Sequence, residues 1–334
     1  MRIGLAGVGL IGSFHAKTLR QLAEIDALVI ADADAGRARQ VADAVGAEAA
    51  TRVEDLFTAK LDGLVIAAAT HAHPVLIIRA IEAGLPVFCE KPVAPTLEET
   101  LRVLRHVRAA RVPVHIGFQR RFDAGYIAAR EAIQSGRLGW IHTLRACTLD
   151  EAPPPPEYVP TSGGIFRDCS IHDFDILRWV TGREVVTVYA TGENRGDDFI
   201  RAAGDVDVMA AVLTFDDGTL AVVSATMYNA AGYDVRLEAL GSKAGISVGL
   251  DERTPLRSVE PGVRFPGGAP YPGFIDRFRD AYQRELAAFV DVVAGRIESP
   301  CSASDGLAAF LVAEACEVSR HEHRVVQMSE MISK

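Results

Sequence analysis

No stretch of the 334-residue chain is apolar over the roughly 18 residues that a membrane-spanning helix requires. No basic segment, apolar stretch and cleavage site precede the strand pattern that opens at Arg2 and Ile3, so no secretory signal is expected. Runs of Lys and Arg are also missing. The formal net charge of −9 therefore repels polyanions without local relief, which argues against nucleic acid as a partner. The five cysteines, Cys89, Cys147, Cys169, Cys301 and Cys316, are odd in number, scattered and without a C-x-x-C pair. That usage suits a reducing cytoplasm, with most of them acting as small core hydrophobes. Histidines lack Cys or carboxylate companions at zinc spacing, and His321 and His323 fall on an expected exposed helix end, so no metal is expected. There is no internal repeat.

Hydrophobic residues make up 49% of the chain and charged residues 24%, near the globular average, and 334 residues suffice for two cores. Short apolar runs at 3–6, 27–31, 63–68, 87–89 and 114–118 alternate with amphipathic stretches. Their continuous apolarity marks strands covered on both faces, the pattern of a parallel, doubly wound α/β sheet. Gly46 and Gly84 suit helix C-caps, and Thr96 to Glu99 suits a capping box.

Past residue 118 the pattern changes to a helix near 124–135 and a strand at 141–148. The proline run 153–156 opens a stiff, extended loop reaching Pro160, and 168–180 has helical periodicity. Strands follow at 185–190, 206–215, 220–227, 235–240 and 246–248, reading as successive hairpins of an antiparallel sheet. A Pro/Gly-rich loop at 255–273 leads to helices at 274–294 and 304–320. The expected division is a Rossmann domain over 1–118 and an α+β domain with an open, largely antiparallel sheet over 119–334.

Gly7-Val8-Gly9-Leu10-Ile11-Gly12 directly follows a strand and opens a helix, the context that marks a dinucleotide site. Gly7 permits the tight turn, Gly9 lets the backbone approach a pyrophosphate, and Gly12 lets the helix pack close to the strand. Asp32 ends the second strand 20 residues after Gly12, where a carboxylate accepts from the adenosine ribose hydroxyls. This favours NAD. A 2′-phosphate would meet that carboxylate, and the nearest basic residue, Arg37, lies a turn into the next helix. Asp34 competes as a plain N-cap.

Glu90-Lys91-Pro92 closes the fifth strand, and ligands bind beyond the carboxyl ends of such strands, so Lys91 is expected to project into the cleft. Its ammonium can offset an alkoxide or pass a proton, or else simply pair with Glu90. Asp168 and His172 stand four apart on one expected helix face, so an acid and an imidazole can share a pocket. They also read as a dipole partner and a packed polar residue. His71 and His73, after the fourth strand, can line the cofactor.

With these motifs, and with Gly163-Gly164 leading to Asp168-Cys169-Ser170-Ile171-His172-Asp173 and Leu177-Arg178-Trp179, the chain resembles the glucose-fructose oxidoreductase, inositol dehydrogenase and MocA-like family over nearly its whole length. Gly117-Phe118-Gln119-Arg120-Arg121-Phe122-Asp123 and Gly232-Tyr233-Asp234 are most similar to the bacterial inositol 2-dehydrogenases of that family. The resemblance implies NAD-dependent oxidation of a cyclic polyol, myo-inositol first, with another inositol, an aldose or a sugar derivative as alternatives. A non-catalytic dinucleotide-binding sensor is the alternative of a different class. It implies Lys91, Asp168 and His172 as the catalytic group, with Arg121 and Tyr233 near the substrate or in its supporting shell. Thr70, His73, Glu90 and Lys91 join the glycine loop and Asp32 as cofactor contacts. It also implies a second domain whose sheet presents one face to the nicotinamide and the other to a partner subunit, in a homotetramer or dimer. Ala69-Thr70-His71 departs from the Pro-Asn common in the family before the position of His73.

Overall fold

A computed structural model describes residues 1–265 and 267–332. In chain order the elements are β1 (Arg2–Ala6), α1 (Leu10–Gln21), β2 (Ala27–Ala31), α2 (Ala35–Val45), β3 (Glu48–Ala49), β4 (Gly63–Ile66), α3 (His73–Glu82), β5 (Val87–Glu90), α4 (Leu97–Ala110) and β6 (Val114–Gly117). Then come α5 (Ala124–Gln134), β7 (Ile141–Leu149), α6 (Val159–Ser162), α7 (Ile165–Asp168), α8 (Ile171–Thr181), β8 (Val185–Glu193), α9 (Asp198–Ala202), β9 (Val208–Phe215), β10 (Leu220–Thr226), β11 (Asp234–Gly241) and β12 (Gly245–Val248). The chain ends with α10 (Phe274–Arg277), α11 (Arg279–Val293), α12 (Ala303–Glu322), β13 (Val326–Gln327) and α13 (Met328–Ile332).

Met1–Gln119 and Asp280–Leu307 form one compact unit, and Arg120–Arg279 and Ala308–Lys334 form the other. In the first, six parallel strands run in the order β3-β2-β1-β4-β5-β6, with the order reversing between β1 and β4. Ligands bind at such a reversal, beyond the carboxyl ends of the strands, and the glycine loop leaves β1 there. Val-, Leu- and Ile-rich β1, β2 and β4 are buried on both faces because helices cover both. Residues 280–307, read from the sequence as part of the second domain, lie in this unit. Leu286, Phe289 and Val290 of α11 join the core formed by Ile3, Leu5, Val65 and Phe88, and that burial draws the helix in.

The second unit holds a seven-stranded sheet in the order β12-β11-β7-β10-β9-β8-β13. It is largely antiparallel, as expected, but β7 and β10 run parallel, so β10 and β11 are not a hairpin. Burial alternates along β9 and β10, with Met209, Ala211, Leu213, Ala221 and Val223 inward and Val212 and Val222 outward. Such alternation is the mark of a sheet covered on one face. α8 packs on β7, and α5 packs on α8 and β12. Residues 153–155 form no regular element, while Pro160 enters the short α6, where a proline near the start of a helix sacrifices no hydrogen bond.

The helix expected over 168–180 is two helices. Ser170 N donates to Ile165 O, five residues back, which widens the last turn of α7. The Ser170 carbonyl then accepts from Asp173 N and Phe174 N to start α8. Asp168 closes the first helix and His172 sits in the first turn of the next. Their shared face therefore does not follow from the periodicity of one uninterrupted helix.

Candidate active site

The glycine loop is built as its spacing requires. Gly7 has φ +91°, and a Cβ there would stand 2.5 Å from the Ala68 backbone, so only glycine makes this turn. A Cβ on Gly12 would stand 2.1 Å from the Gly7 carbonyl oxygen. Gly9 is the opposite case, with nothing within 4 Å of an added Cβ. It is the N-cap of α1 and no side chain caps the helix, leaving an open backbone approach to a positive helix end. This arrangement fits the pyrophosphate of a dinucleotide.

The two candidate aspartates divide the work. Asp34 caps α2, accepting from Gly36 N at 2.9 Å and Arg37 N at 3.1 Å. Asp32 turns back to the loop, its Oδ2 accepting from Val8 N at 2.7 Å and its Oδ1 from Asp34 N at 2.8 Å. Arg37 also reaches it, Nη2 donating to Oδ1 at 2.7 Å. Burial pushes the Asp32 carboxyl up, but the hydrogen bonds from Arg37, Val8 and Asp34 outweigh it and hold it below its ordinary value. A fixed carboxylate next to the glycine loop suits the ribose hydroxyls.

At the end of β5, Glu90 Oε1 lies 2.6 Å from His15 Nε2 of α1, with the histidine buried and the carboxylate partly so. A Cβ on Gly117 would stand 2.9 Å from Glu90 Oε2, so the carboxylate occupies the space this glycine leaves. Sequence reasoning passed over His15. Its signal was an imidazole on the face that Gly12 and Leu19 bury, three and four residues away. Lys91 follows Glu90, half-buried.

Of the cofactor-loop residues, Thr70 is half-buried and His71 exposed, whereas His73 is enclosed at the start of α3. Its Nδ1 lies 2.8 Å from Pro92 O and its Nε2 3.0 Å from Ala68 O. Burial lowers the pKa of His73 although both carbonyls favour the charged ring. The side chain joins the loop after β4 to the Lys91–Pro92 segment and offers no ring nitrogen outward.

In the second unit, consecutive arginines anchor α8. Arg120 donates from Nη1 to Asp173 Oδ1 at 2.5 Å and from Nη2 to Thr148 Oγ1 at 2.8 Å, and Thr148 donates to Asp173 Oδ2. Arg121 grips Asp175 with Nε at 2.8 Å and Nη2 at 2.5 Å. Arg121, expected near the substrate or in its supporting shell, is buried in a bidentate ion pair. These pairs fix the helix that carries His172. Asp168 and His172 are half-buried at the junction of α7 and α8. Tyr233 is buried just before β11, its backbone bridged to Tyr271. Burial pushes its phenol well up, Arg120 opposes this, and Asp150, Cys169 and Asp173 add to it, so all five groups share one environment. Among the described residues there is no group of three or more His, Cys, Asp or Glu placed to hold a metal, and no helix is long and apolar enough to cross a membrane.

A family model described as "Oxidoreductase family, NAD-binding Rossmann fold" matches residues 1–118, and one described as "GFO/IDH/MocA C-terminal domain" matches residues 126–247. The chain is 36% identical to the myo-inositol 2-dehydrogenase of Thermotoga maritima, over 99% of this chain and 100% of that protein. It is 34% identical to the inositol 2-dehydrogenase of Rhizobium meliloti, over 98% and 99%. Among solved structures, scyllo-inositol dehydrogenase from Lactobacillus casei with bound cofactor NAD(H) and scyllo-inositol matches with a TM-score of 0.88 at 27% identity, covering 98% of this chain and 99% of that one.

Proposed function

The chain belongs to the GFO/IDH/MocA family of NAD-dependent oxidoreductases, and we propose that it oxidises a secondary hydroxyl of a cyclic polyol to a ketone, with myo-inositol at its 2-position the first-choice substrate. The observation that carries this reading is end-to-end similarity, both domains included, to a myo-inositol 2-dehydrogenase. NAD, when bound over Gly7, Gly9 and Gly12, supplies the hydride acceptor. His172 accepts the hydroxyl proton, Asp168 orients the imidazole and stabilises its charged form, and Lys91 offsets the alkoxide charge. Arg121 acts through Asp175 by holding α8, and Tyr233 stands in the shell that supports the substrate.

The test is NAD reduction, followed by absorbance, with a panel of inositols and aldoses. Turnover of myo-inositol is expected. A strong preference for scyllo-inositol would follow the Lactobacillus casei relative instead. NAD binding with no turnover of any polyol would replace the enzyme by a sensor. Lys91→Ala and His172→Ala are each expected to lower kcat about 10²- to 10⁴-fold in folded protein. Near-normal turnover in both would remove them from the chemistry.

We further propose a homo-oligomer, a tetramer or dimer, formed through the outer face of the seven-stranded sheet. Its support is the partial exposure of Val186, Tyr189, Val212, Leu220 and Val222 on that face. A cytoplasmic location is supported by five free thiols, those of Cys89, Cys301 and Cys316 buried.

A further inference from the structure

The Asp32–Arg37 pair bears on which dinucleotide the site accepts, whatever polyol the enzyme takes. Asp32 is 5% exposed and locked by two backbone N–H groups, whereas Arg37 is 49% exposed at the end of a long stem from the first turn of α2. The carboxylate is therefore the fixed member and the guanidinium the movable one. A lone carboxylate repels a 2′-phosphate on the ribose, but a carboxylate in contact with a guanidinium presents almost no net charge at that distance. Arg37 gives one of its N–H groups to Asp32. A guanidinium carries five such donors in a planar fork, enough to hold a phosphate with two while its edge stays on the carboxylate. We propose that Arg37 is a specificity-determining residue that lets this NAD site also accept NADP, by pairing with the 2′-phosphate.

Titrating NADH and NADPH by their own fluorescence, with no polyol present, tests this independently of any turnover. The wild-type protein should bind both, and Arg37→Gln should raise the ratio of the NADPH to the NADH dissociation constant about tenfold or more, the loss of one charge-assisted pair. Arg37→Lys, which keeps the charge, should restore much of the ratio. Raising salt should weaken NADPH more than NADH in the wild type, and this difference should shrink in Arg37→Gln. Two outcomes would overturn the proposal: no NADPH binding by the wild type at about a thousand times its NADH dissociation constant, or an unchanged ratio in Arg37→Gln, whether both dinucleotides bind as before or weaken equally. Equal weakening would mean that Arg37 merely holds Asp32 in place.

Discussion

His15 and Glu90 stand 75 residues apart in the sequence and 2.6 Å apart in space. His15 Nδ1 is buried and has no hydrogen-bond partner among the described residues. A buried N–H without an acceptor costs more than a bare ring nitrogen, so the proton belongs on Nε2, which donates to Glu90 Oε1. His15→Ala removes that donor and opens a hole among Phe14, Phe88 and Tyr282. The expected cost is about 3 to 5 kcal/mol in urea unfolding. A cycle with Glu90→Gln should show coupling of about 1 to 3 kcal/mol, and additive effects would mean the contact contributes nothing. The glycines and Asp32 were legible in the sequence because each answers a local backbone demand. His15 and Arg37 were not, because what defines them is a partner whose position only the folded chain supplies.

At the scale of elements, the apolar periodicity identified nearly every strand but not their order. The parallel pairing of β7 with β10 joins segments some 70 residues apart, and nothing in either strand's alternation names its neighbour. The junction between α7 and α8 was hidden for a related reason: the buried positions continue in helical rhythm through a turn that changes the hydrogen bonding. Arg120, Asp173 and Thr148 hold α8 at this point, and Arg120→Met would leave a buried carboxylate facing only a hydroxyl. Loss of about 3 to 5 kcal/mol is expected at neutral pH. Burial already pushes the Asp173 carboxyl above its ordinary value, against the pull of Arg120 and Thr148, and removing Arg120 raises it further. Where the folded pKa exceeds the unfolded one, the native state binds more protons, so stability falls as pH rises through that window. The deficit of Arg120→Met should accordingly shrink as pH is lowered, read as the difference in Tm from the wild type in calorimetry. A deficit that stays constant from neutral to mildly acid pH would show that Asp173 does not bear the charge.

For the whole molecule, composition and charge argue against membrane spans and polyanion partners, but assembly depends on which side chains the strand register aligns. Tyr189 of β8 pairs with Val212 of β9, and Val212 pairs with Val222 of β10. Val222 then faces Arg145 of β7, which faces Glu238 of β11 and is bonded to it at 3.1 Å. One row across five strands is thus apolar over three and an ion pair over two, spanning about 19 Å at the usual strand spacing. Such a row suits a two-fold contact, in which the same patch meets itself and each apolar half can cover its counterpart. Val212 is the middle apolar residue and 44% exposed, so glutamate there does not disturb the core of the unit. Across a two-fold contact it would place a charge in an apolar interface in every copy. Light scattering should therefore give two or four times 35.9 kDa for the wild type and a mass near one copy for Val212→Glu with an unchanged circular dichroism spectrum. A monomeric wild type, or a Val212→Glu protein that keeps the assembled mass, would show that this face is not where the copies meet.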